Sequence, residues 1–214
     1  MAIEIKYKNS LGVEVSAQQA NLLQGDYSSE HYVDDVLQKI DIYENGELST
    51  GEYYLSEGEN LQSVLAEYQS LWSSGTFFTN KQQVGNYTVM NWGLYEKTEK
   101  LEEGRKVWDN QGRIIAEEHV DAATHQVLYT VKYFYLTNFG SFAYTDRVLN
   151  YGTLEFTYGL SEPDEITVSV NLPDFDNEIY YITEEENILN HPLIAPLFSW
   201  DTQTYYHSDQ LLPI

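Results

Sequence analysis

Short runs that alternate apolar with polar residues recur along this chain, separated by Gly, Asn and Asp turns. That punctuation predicts a mainly β (α+β) protein built as an antiparallel sheet of sequential hairpins. Ile3, Ile5 and Tyr7 alternate with polar neighbours, Asn9-Ser10-Leu11-Gly12 turns, and Val13 to Val15 can return. Gln38 to Tyr43 alternates next, with Ile40 and Ile42 on one face, and leads into Glu44-Asn45-Gly46-Glu47. An Asn-Gly pair is the strongest short hairpin signal because both residues accept positive φ. Glu52 to Leu55 belongs to the returning strand. Later strands are expected at Val84 to Tyr95, Arg105 to Trp108, Ile114 to Val120, Gln126 to Leu136, Tyr151 to Tyr158, Glu165 to Val170 and Ile179 to Thr183. Asp109 to Gly112 and Asp121 to Thr124 read as turns, and Phe139-Gly140 as a break. Residues 16–35 are polar and less periodic, and Val33 to Leu37 reads as a short helix or the lead into a strand.

One segment has helical period. Leu61, Val64, Leu65, Tyr68, Leu71 and Trp72 form a single stripe, which predicts an amphipathic helix at about 59–72 ended by Gly75. The stripe is core rather than a ligand site. The chain is expected to form a single domain over residues 1–214, with a possible seam near 97–104 that reads equally as a hairpin connection. The final stretch, with Leu189, Leu193, Ile194, Phe198 and Trp200 among prolines, should pack on the sheet as irregular or short-helical chain.

Composition limits the function. No cysteine is present, which removes disulfides, thiolate nucleophiles and cysteine-based zinc sites. The N-terminal residues lack the apolar region of a signal peptide, and no run of about 18 apolar residues could span a membrane, so a cytoplasmic protein is expected. Asn86-Tyr87-Thr88 fits the glycosylation pattern, which carries nothing without secretion. The net charge of −23 disfavours nucleic acid and anionic membranes, whose phosphates it would repel, and favours a basic protein surface. The 19 tyrosines serve strands and core, or a recognition face.

Two segments share a pattern: Ile42-Tyr43-Glu44-Asn45-Gly46-Glu47-Leu48, and Val107-Trp108-Asp109-Asn110-Gln111-Gly112-Arg113-Ile114. Each runs aromatic, acid, Asn, Gly, polar residue, aliphatic, with one extra residue in the second. Physically this is a strand end, a tight glycine turn and a strand restart. The pattern resembles the units of MORN-like repeats of YwqK-type antitoxin proteins, and the YD repeats of Rhs-type toxin proteins, over about 15 residues. The resemblance implies a sheet-forming protein that works by contact, within bacterial toxin–immunity systems.

Catalytic signatures are missing from the sequence: there is no nucleophile elbow, P-loop or dinucleotide fingerprint. His119 and His125 flank a predicted hairpin with Asp121 between them, but spacing fixes no third metal ligand. Asp174 to Glu185 superficially follows a calcium loop, with Ile179 where glycine is required. No metal, cofactor or catalytic residue is therefore assigned. All 11 Lys and Arg residues lie at or before Arg147, whereas Val148 to the end holds 12 acids and no Lys or Arg. The expected function is a non-catalytic acidic interaction protein, such as an immunity protein or inhibitor covering a basic surface. Its expected binding residues are Asp174, Asp176, Glu178, Glu184, Glu185 and Glu186. The alternative is a small-ligand-binding β-barrel protein or an enzyme of unknown substrate.

Overall fold

The computed structural model describes residues 2–10, 12–22, 25–141, 148–159, 166–171, 180–182, 189 and 194–213. The strands are β1 (Ile3–Asn9), β2 (Glu14–Val15), β3 (Tyr27–Val33), β4 (Val36–Glu44), β5 (Glu47–Tyr54), β6 (Ser74–Val84), β7 (Tyr87–Glu96), β8 (Glu99–Trp108), β9 (Ile114–Asp121), β10 (Val127–Ser141), β11 (Val148–Tyr158), β12 (Ile166–Asn171) and β13 (Tyr180–Ile182). Helix α1 covers Ala17–Leu22 and α2 covers Leu61–Tyr68. Hydrogen bonding follows the order β2-β1-β3-β4-β5-β6-β7-β8-β9-β10-β11-β12-β13. The protein is thus mainly β, as the alternation predicted. The sheet is open, with β2 and β13 as end strands, so the barrel of the small-ligand alternative does not form. Among the described residues no helix is long and apolar enough to cross a membrane.

The hairpins are set by residues that tolerate a left-handed backbone. Asn45 and Gly46 (φ 53° and 80°) join β4 to β5. Asp34 and Asp35 (φ 49° and 65°) join β3 to β4, so Val33 to Leu37 is a hairpin and not a short helix. Asp side chains tolerate this region better than most. The linker-like stretch 97–104 is a turn at Lys97-Thr98 followed by the start of β8. The expected break at Phe139-Gly140 is a register shift within β10.

The chain divides into two compact units, residues 1–82, 90–104 and 121–124, and residues 83–89, 105–120 and 125–214. In the first unit, antiparallel pairing gives way to a parallel pair, β5 with β6. Parallel strands need a crossover connection, and α2 supplies it. The Asn60 side chain accepts a hydrogen bond from the Ser63 amide at 3.1 Å and caps its start. The helix is shorter than the apolar stripe. Both the Leu71 and Trp72 amides turn back onto the Tyr68 carbonyl, leaving Leu71 exposed and burying Trp72. Gly75 does not end the helix; it lies in β6 opposite Gly51 of β5. Val64, Leu65, Tyr68 and Trp72 pack with Tyr53, Phe77 and Tyr95 into one core.

In the second unit, Leu136, Leu154, Phe156, Tyr158 and Val168 present a sheet face that Leu189, Ile194, Phe198 and Tyr206 cover. The C-terminal stretch therefore packs on the sheet, in 3-10 turns at Trp200–Thr202 and Thr204–His207. It is also pinned by polar groups. The fully buried Lys132 ammonium donates to the carbonyls of Tyr205 and Ser208, each at 2.5 Å, and faces the Tyr205 ring 3.8 Å from its centroid. Tyr158 donates to the Tyr206 carbonyl at 2.7 Å.

Candidate functional site

The six acids expected to bind, Asp174, Asp176, Glu178, Glu184, Glu185 and Glu186, lie outside the described residues, as does the calcium-like stretch between Asp174 and Ile179. His119 is placed with its Nε2 3.1 Å from Glu117 and its ring stacked on Tyr129. Among the described residues no group of three His, Asp or Glu side chains is placed to hold a metal ion.

The densest polar constellation is one that sequence reasoning passed over, on β3 and β4. The register puts Ser29 opposite Asp41 and His31 opposite Lys39, and alternation sends all four to one face. Asp41, only 4% exposed, is the hub. Its Oδ2 meets Lys39 Nζ at 2.8 Å and His31 Nε2 at 3.0 Å, and its Oδ1 accepts from Trp72 Nε1 at 3.1 Å. Glycine makes room for that indole: a β-carbon at Gly51 would lie 2.4 Å from the ring.

Ser29, His31 and Asp41 are the residue types of a hydrolase triad, but the geometry is wrong for one. In a triad the two imidazole nitrogens serve different partners, one the acid and the other the nucleophile. Here a single nitrogen, His31 Nε2, faces both Asp41 and, at 3.1 Å, Ser29 Oγ. A nitrogen facing a carboxylate carries the proton, so it cannot accept one from the serine. Ser29 is also sealed from solvent at 2% exposure. Burial, then the Lys39 ammonium, lowers the His31 pKa, with Asp41 opposing them.

The Tyr43 ring, two residues along β4 from Asp41, stacks on Tyr27 with centroids 4.4 Å apart and planes 7° from parallel. Both rings are half-buried. Asp26 adjoins Tyr27 and accepts from the Asn45 amide at 3.1 Å; Glu44 adjoins Tyr43 and lies opposite Glu47. All three acids are exposed.

Much of the positive charge is matched within the chain. Lys6, Lys8, Lys39, Lys100, Arg105, Lys106 and Arg113 each stand within ion-pair distance of a carboxylate. Burial alone would raise the Glu117 pKa, but the hydrogen bond from His119 and the Lys106 ammonium outweigh it and hold it below the usual range. Exposed Glu14, Asp35, Glu57, Glu67, Glu96 and Glu99 add to the negative surplus. The first unit also contains an open cavity of about 1230 Å³ lined by Val33, Val36, Leu55, Leu61 and Met90, with Glu59 and Lys81 at its polar part.

No family model, no curated protein and no solved structure matches the chain.

Proposed function

We propose that the chain is a non-catalytic acidic interaction protein that covers a basic protein surface, as an immunity protein or inhibitor does. The observation that carries this reading is the polarity of its charge. Twelve acids and no Lys or Arg follow Val148, while the cations named above are engaged with the chain's own carboxylates. Uncompensated charge of one sign draws in a partner of the other and speeds the encounter. The Ser29–His31–Asp41 arrangement is compatible with the same reading, because its single shared imidazole nitrogen does not activate Ser29.

The test takes a partner crosslinked in the native host and measures its affinity across a salt series. Neutralising Asp174, Asp176 and Glu178, or Glu184 to Glu186, should weaken binding and flatten the salt dependence. Unchanged affinity in both variants would assign the charge to solubility alone.

A small-ligand reading is favoured by one observation, the open cavity beside α2, where apolar Val33, Val36, Leu55, Leu61 and Met90 are joined by polar Gln38, Glu59, Asn80 and Lys81. Ligand-induced stabilisation lost on replacing Leu61 with a larger residue would support it.

A further inference from the structure

Strand β5 stops short of the strands on either side of it. Its last partner on β4 is Lys39, opposite Tyr53, yet β4 begins at Val36. Its last partner on β6 is Phe78, opposite Tyr54, yet β6 runs on to Val84. The Leu55 amide still reaches the Phe78 carbonyl at 2.9 Å, and the chain then leaves the sheet for α2. Val36 and Leu37 therefore keep ladder partners on β3 alone, Gln38 has none, and Thr79 to Lys81 have none on β5. The open cavity of about 1230 Å³ lies at this place, with Leu37, Gln38, Leu55, Thr79, Asn80 and Lys81 in its lining. It continues the line of β5. Strands β4 and β6 flank the position of one strand, so their facing edges stand about two strand spacings, roughly 10 Å, apart.

We propose that this gap takes an extended segment of a basic partner protein, which completes the sheet where β5 leaves it. This rests on the reading of the chain as a binder of a basic surface. Ladder positions without a partner offer backbone N–H and C=O groups at strand spacing, and an added strand satisfies them in series. The volume also exceeds the roughly 300–1,000 Å³ of small-molecule sites. Because β4 is antiparallel to β5 and β6 is parallel to it, an incoming segment meets one wall antiparallel and the other parallel, whichever way it enters. Asn80, with a left-handed φ of 52°, and exposed Lys81 blunt the β6 wall, so β4 carries most of the pairing. Val36, Leu55, Leu61 and Met90 give the gap apolar contacts, while two carboxylates, Glu57 and Glu59, outnumber one ammonium, Lys81. Glu59 is fixed in advance by the Tyr53 hydroxyl at 2.9 Å and the Ser56 amide at 2.6 Å. Side chains of an extended segment alternate, so one with apolar and basic residues in turn matches both features.

The test titrates three acetylated peptides into the full chain at low salt: Val-Lys-Val-Lys-Val, the same peptide N-methylated at its valines, and Val-Glu-Val-Glu-Val. Methylation keeps the charge and removes the backbone donors of one edge. The amide resonances of Leu37, Gln38 and Thr79 are followed by NMR. The first peptide should shift them and bind about ten-fold tighter than its methylated form, the scale of one or two backbone hydrogen bonds. It should also bind tighter than the glutamate peptide. Val36→Trp, which fills the gap from a position 60% exposed, should abolish the shifts. Equal affinity for the methylated and unmethylated peptides overturns the proposal. Shifts with anilinonaphthalene sulfonate but with none of the peptides also overturn it and assign the cavity to a small molecule. Neutralising Glu184 to Glu186 separates the gap from the broader reading. If native-partner binding falls there but is untouched by Val36→Trp, the gap fails and the acidic binder stands. If neither variant changes it, both fail.

Discussion

The indole of Trp72 occupies the space that a side chain at Gly51 would need: a β-carbon there would lie only 2.4 Å from Cε2 and Cζ2 and 2.7 Å from the Ile40 carbonyl. The indole is buried, and its N–H is spent on Asp41, so it has no easy retreat. Gly51→Ala should therefore destabilise the protein by about 1–3 kcal/mol, the usual range for overpacking. Alanine at exposed Gly46 would instead report a backbone cost, since φ there is 80°. Denaturant midpoints of the two variants check the comparison; an unchanged midpoint for Gly51→Ala would mean that the indole moves freely.

Asp41 holds three donors at once, so its loss should be felt widely. Asp41→Ala leaves the buried Trp72 N–H without its acceptor and the half-buried Lys39 ammonium without its carboxylate. The expected cost is about 1–3 kcal/mol, as for a buried donor left unsatisfied. Thermal unfolding of the variant against wild type measures it.

His31 should make stability fall on acidification. Its folded pKa is lowered by burial and by Lys39, so the unfolded state takes up a proton first as pH drops. The contribution is fully present above the ordinary histidine value of about 6.5 and is lost as pH falls through it. His31→Gln should show a shallower decline between about pH 7.5 and 5. Matching slopes would place the proton elsewhere.

Lys132 should act in the opposite range. Burial pulls its pKa down to about 8, against an ordinary 10.5, with Asp209 pulling weakly upward. Between those values the unfolded chain holds a proton that the folded chain has released, so stability rises with pH from about 8. The full gain would be on the order of 3 kcal/mol. Tyrosine opposes it at higher pH: burial raises Tyr133, Tyr205 and Tyr206, so above about pH 10 their ionisation favours the unfolded state. The rise should appear between about pH 8 and 10 and be missing in Lys132→Met.

Much of the strand layout was legible because its signals are local. Asn45-Gly46 and Asp109 to Gly112 are turns by backbone chemistry, and the alternation around Ile40 and Ile42 gives the strand beside them. The hairpin at Asp34-Asp35 was missed because paired Asp residues are weaker turn formers than Asn-Gly, and because the flanking Val33 and Val36 do not show which face they take. Helix α1 was missed too. Its sign is a reciprocal cap, with Ser16 Oγ accepting from the Gln19 amide at 3.2 Å and Gln19 Oε1 from the Ser16 amide at 2.9 Å. The parallel β5–β6 pair was not legible, since a helix between two strands permits a crossover without requiring one. Nor was the Asp41 hub, because Ser29, Asp41 and Trp72 come together only through register and a helix exit.

The strand order carries a consequence for how the chain is made. From β4 to β13 each strand's earlier neighbour in the sheet is also the strand before it in sequence. During synthesis each new strand therefore emerges beside a template already in place, and closing any one contact takes only a short loop, except across α2. Such local pairing lowers the contact order and favours fast, vectorial growth of the sheet. The exception is the last stretch. The carbonyls of Tyr205 and Ser208 that Lys132 holds are 73 and 76 residues away from it. The apolar face of β10 to β12 therefore stays open until Ile194, Phe198 and Tyr206 have been made, so it is exposed for longer than the rest of the sheet.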